Sequence, residues 1–164
     1  MSEVLHAWAV APAAIGACCV AVDRARVRPP ELAASVLMLL AMLDAALAGW
    51  VPPVYWTALL SAAAVGLAVW RRPRQRRAPR VPALMTVHTT LGMVVMAALQ
   101  VGMGGHTAGA GHAHGVGLIP FLLVVAAGYL GLSAVAARRM RTRLDRAQIV
   151  GMAASTGLMA LAVL

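Results

Sequence analysis

A chain of 164 residues that is 62% hydrophobic, 12% charged and of mean hydropathy +0.82 is too apolar for a water-soluble domain, so lipid must be its solvent. Its formal charge of +9 comes from 14 basic residues, all arginine. They cluster in three linkers with no aromatic side chains interleaved for base stacking, which argues against nucleic acid as the reason for the charge.

The apolar sequence divides into six segments: Leu5–Val22, Leu32–Trp50, Val54–Trp70, Ala83–Met103, Val116–Ala136 and Ala147–Leu164. Each is close to the ~20 residues that a helix needs to cross the hydrocarbon core. Strand-like alternation is absent, and no water is available there to satisfy open backbone groups. The expected fold is therefore all-α: one polytopic membrane domain over residues 1–164, with six transmembrane helices in one bundle.

The first segment lacks the basic start of a cleaved signal peptide and carries Glu3 and His6 instead, so it is expected to be retained. Pro12 should kink it, and Ala13, Gly16 and Ala17 permit close helix approach. Cys18 and Cys19 are adjacent, a geometry too strained for an ordinary disulfide, and read as small packing groups. His6 and Trp8 fit the outer interface.

The linkers 23–31, 71–82 and 137–146 hold every arginine and alternate along the six spans. Short arginine-rich loops stay in the cytoplasm, which predicts an N-out, C-out topology with anionic lipid headgroups at the arginines. The localisation expected is the bacterial cytoplasmic membrane, and the arginine-rich, lysine-free composition has a GC-rich bacterial character.

On the second segment, Met38 and Met42 lie one turn apart, in line with Glu31 and Ser35. Asp44 projects to the other side and falls ~18 Å into the bilayer by helical rise. An intramembrane carboxylate is costly, so Asp44 is a functional candidate; the competing reading is a hydrated carboxylate near the outer surface. The turn that follows holds Trp50, Tyr55 and Trp56 and fits an aromatic belt. The third segment is alanine-rich and chemically plain.

The fourth segment carries Met85, His88, Thr89, Met93, Met96, Gln100 and Met103 within an arc of roughly 140° at about 100° per residue. Residues 104–115 follow as a glycine-rich outer loop with His106, His112 and His114, which could chelate a metal through neutral imidazoles. The fifth segment offers no evident ligand, and the sixth places Met152, Ser155, Thr156 and Met159 on one face.

Apart from Met1 and Met140, the methionines occur only on the second, fourth and sixth segments. Counting rise predicts two tiers, with Met38, His88 and Met152 ~8 Å above the inner edge and Met42, Met93 and Met159 ~15 to 18 Å above it. Thioether and imidazole donors with few carboxylates select Cu(I) over hard ions. The candidate metal ligands are thus His88, Met93, Met96, Met38, Met42, Met152 and Met159, with the three loop histidines outside. The competing reading is a structural or accessory membrane subunit whose methionines only pack, alone or in a homo-oligomer. Haem would need paired axial ligands at one depth, which His6 and His88 do not provide; only His88 with Met38 or Met152 could. No nucleophile elbow, H-E-x-x-H or phosphate-cradling glycine motif occurs, so no enzyme activity is expected.

The segments ELAASVLMLLAMLDAAL and HTTLGMVVMAAL resemble the paired Met-rich helices of small actinobacterial membrane proteins grouped as domain-of-unknown-function family 5134. The resemblance implies an integral membrane protein and brings no activity with it.

Overall fold

The computed structural model describes residues 2–22, 29–75, 80–107, 115–162, and every regular element among them is helical. Six α-helices follow one another: α1 (Ser2–Val22), α2 (Pro29–Leu43), α3 (Pro53–Gln75), α4 (Arg80–Thr107), α5 (Gly115–Arg139) and α6 (Arg143–Ala162). α2 ends in a wide π-helical turn, Asp44–Ala48, closed by Gly49 in the left-handed region at φ 58°. A residue without a Cβ adopts that conformation at no steric cost.

Four stretches are long and apolar enough to cross a membrane: Pro29–Leu47, Pro53–Trp70, Leu84–Gly102 and Leu118–Arg139. Ala7–Val22 is a shorter apolar helix. α3 runs past its predicted apolar boundary to Gln75, where arginine, a good helix former, carries the backbone into the polar flank. α4 continues to Thr107, so the backbone of His106 is helical, where a loop over 104–115 was expected. His112 and His114 lie outside the described residues.

The surface is the inverse of a soluble protein's. Trp8, Ile15, Val65, Phe121 and Val124 are each more than half exposed. By contrast, Ser35, Thr86, His88, Thr89, Gln100, Ser133, Gln148, Ser155 and Thr156 are buried. Burial of polar side chains beneath an apolar exterior is the arrangement a lipid solvent demands, since polar groups gain partners only in the interior.

α4 is the centre of the bundle: 61% of its apolar span is buried, against 33, 17 and 22% of the other three. Polar side chains tie it to three neighbours. Thr86 Oγ1 donates to Glu31 Oε1 of α2 at 2.9 Å, Thr57 Oγ1 of α3 shares its proton between the Pro53 carbonyl of its own helix at 2.9 Å and the Ala97 carbonyl at 3.3 Å, and His88 Nε2 meets Ser133 Oγ of α5 at 2.9 Å. Such interhelical bonds each contribute about 0.6–2 kcal/mol in a membrane interior.

α1 and α6 form the most extensive helix pair. Glycine makes it possible, because a Cβ on Gly151 would stand 2.6 Å from the Pro12 carbonyl oxygen and 3.3 Å from Gly16 Cα. The two backbones therefore touch, as small-residue interfaces allow. At the α5–α6 turn, Arg146 caps the end of α5 by donating to the carbonyls of Ala137 and Met140 at 3.3 and 3.2 Å.

Candidate functional site: a methionine cavity

The stripe that α4 carries in sequence becomes its buried face: Met85, His88, Thr89, Met93, Met96 and Gln100 are each at most 2% exposed. They do not converge on one point. Measured around the helix from His88 at about 100° per residue, Met96 stands about 80° away and Met93 about 140° away. Three directions meet three different neighbours.

Met96 faces inward to a cavity of about 20 Å³ shared with Met38 and Met42 of α2 and Met152 of α6. Ala13 and Ala17 of α1 close it, and Ser35, Ser155 and Thr156 add three hydroxyls. That volume holds one water-sized occupant. The Ser155 and Thr156 hydroxyls both donate to the Met152 carbonyl at 2.9 Å. Ser35 Oγ is buried, lines the cavity and has no hydrogen-bond partner among the described residues. Four methionines and one open hydroxyl thus line a space the size of a single ion or water.

Met93, about 60° further round the helix, lines a groove between α2 and α3. Met159 is fully buried in the main core cluster, which also holds Met38, Met42, Met93, Met96 and Met152. The methionines of both expected tiers lie in this one cluster, and Met38, Met42 and Met152 line the cavity together with Met96.

His88 faces α5. Its ring stacks on Tyr129 with centroids 5.0 Å apart and planes at 30°. Ser133 Oγ donates to the Tyr129 carbonyl at 2.7 Å, so its lone pair accepts from His88 Nε2–H at 2.9 Å. This chain assigns the ring proton to Nε2 and leaves the Nδ1 lone pair with no partner among the described residues. A fixed tautomer with one nitrogen hydrogen-bonded and the other open is the usual preparation of a metal-binding histidine. Tyr129 and Ser133 are missing from the sequence reading, which treated the fifth helix as lacking ligands. The available signal was two polar residues four apart in an otherwise apolar span.

The histidine side and the cavity side meet at Gly92, one turn beyond His88. A Cβ there would stand 2.8 Å from Tyr129 Oη and 3.3 Å from Met152 Cε. Tyr129 Oη, also without a partner among the described residues, therefore lies near the methionine that borders the cavity.

Asp44 does something else. Its carboxylate accepts from the backbone N–H of Trp50 at 3.1 Å, from that of Val51 at 3.2 Å, and from the Trp56 indole Nε1–H at 2.8 Å. The three bonds fasten the α2–α3 turn. This geometry favours an anchoring role over an intramembrane acid.

Cys18 is exposed and Cys19 half-buried, and both are free. Among the described residues, no three His, Cys, Asp or Glu side chains come together as a metal site. The clustered soft donors are the thioethers. Compared with models of protein families, with curated proteins and with solved structures, the chain matches none of them.

Proposed function

We propose that the protein is a six-span integral protein of the bacterial cytoplasmic membrane, both termini outside, that binds Cu(I) through Met38, Met42, Met96 and Met152. The observation that carries this reading is their convergence from three helices on one cavity of about 20 Å³. Neutral thioethers favour a soft ion, a single charge costs less to bury than a double one, and hard ions prefer oxygen. His88 Nδ1 is a further nitrogen donor, on the α5 side of α4. The arrangement supports binding or handling of copper. The alternation of arginine linkers supports the topology, and anionic headgroups are the partners of those arginines. Membership of family 5134 is part of the same proposal and is supported by the two Met-bearing segments alone.

The test is an anaerobic Cu(I) titration in detergent, in a Cys18→Ser/Cys19→Ser background so that thiols do not compete. The comparison is with Met38→Leu/Met96→Leu/Met152→Leu, because Leu nearly preserves the volume and removes the sulfur. One Cu(I) per chain is expected in the methionine-bearing protein, with affinity at least tenfold lower in the leucine variant, a loss of about 1.4 kcal/mol or more. Equal stoichiometry and affinity in both would leave the methionines as packing groups of a structural or accessory subunit.

A further inference from the structure

A second, larger hollow lies away from the methionine cavity. The α2–α3 hairpin is pinned at its turn by Asp44, and towards its other end a groove of about 230 Å³ opens between the two helices. Its floor is Met93 of α4, Ala33, Ala63 and Gly66 leave it wide, and Pro30 and Trp70 stand at its far end. At Gly66 an added Cβ would have nothing within 4 Å. The lining is apolar throughout apart from backbone.

The far end is also the basic end. Arg71 and Arg72 follow Trp70 in α3 and open a run of six arginines within residues 71–80. The indole of Trp70 is largely exposed, as suits a ring at the membrane interface. An apolar trough whose far end lies next in sequence to an arginine run matches a hydrocarbon chain joined to a negatively charged headgroup.

We propose that the α2–α3 groove binds an anionic phospholipid from the leaflet on the arginine side, with one acyl chain along Ala63 and Gly66 and the headgroup towards the end of α3 where the arginine run begins. The inference rests on the membrane reading and is independent of copper. It separates this lipid from the surrounding bilayer by two features together, a trough of fixed shape and a charge at its end.

Native mass spectrometry of the full chain, exchanged into mixed phosphatidylglycerol and phosphatidylcholine, tests it. Phosphatidylglycerol should be retained in preference by about tenfold. Gly66→Leu, which fills open space in the trough, and Arg71→Gln/Arg72→Gln should each remove most of that preference. Equal retention of the two lipids overturns the proposal, and so does undiminished phosphatidylglycerol retention in Gly66→Leu, which would mean headgroup attraction alone. A dimer lost in Gly66→Leu overturns it too, because a second copy would then be the occupant. Cu(I) stoichiometry in Gly66→Leu should stay at the parent value, so failure of the lipid site and failure of the copper reading are separable.

Discussion

At the level of single residues, chemistry here is set by what each polar side chain can find in a dry interior. His88 finds Ser133 and thereby keeps one nitrogen open, whereas Ser155 and Thr156 spend their protons on the Met152 carbonyl. Asp44 finds three donors at once, and the consequence is structural. Asp44→Ala should therefore lower stability by about 1–3 kcal/mol, the scale of losing charge-assisted bonds at a half-exposed site. Thermal unfolding in detergent would register the loss, and a shift in tryptophan emission would report the released Trp56 indole. Cu(I) affinity should be unchanged, since Asp44 does not line the cavity; loss of metal binding in a folded Asp44→Ala protein would instead make it a functional acid.

Among the helices, the closest approach decides the packing. The α1–α6 pair has no room for a side chain at Gly151, so Gly151→Leu should destabilise the protein by about 1–3 kcal/mol or more through overpacking. Gly131, whose added Cβ meets nothing within 4 Å, is the control: Gly131→Ala should lie within about 0.5 kcal/mol of the parent. Equal unfolding midpoints for the two variants would contradict the backbone contact between α1 and α6. Much of this layer is legible in the sequence. The soft stripe of α4 stands out at helical period, and Met85, His88, Thr89, Met93, Met96 and Gln100 of it are buried. What periodicity does not carry is the rotation of each helix against its neighbours. A stripe 140° wide touches α2, α3 and α5 as well as the cavity, so Met93 and Met96, three residues apart, serve different spaces. The partners of His88 were hidden for a related reason, because a lone Tyr and Ser on an apolar helix gain meaning only from what faces them. Helix ends were also underestimated, since arginine extends a helix that hydropathy alone would stop.

For the molecule as a whole, an apolar exterior, a polar interior and four spans of membrane length fit a protein dissolved in lipid. α4 acts as its axle: one helix carries the polar ties to α2, α3 and α5 and one wall of the methionine cavity. The central claim is that this cavity is a soft-metal site and not merely a packing defect. Its most direct measurement is the copper K-edge absorption spectrum of the Cys18→Ser/Cys19→Ser protein loaded with one equivalent of Cu(I). The account predicts a copper shell dominated by sulfur, which in that background only methionine can supply. A shell of nitrogen and oxygen alone would contradict it, placing the metal at the histidines and leaving the cavity to water.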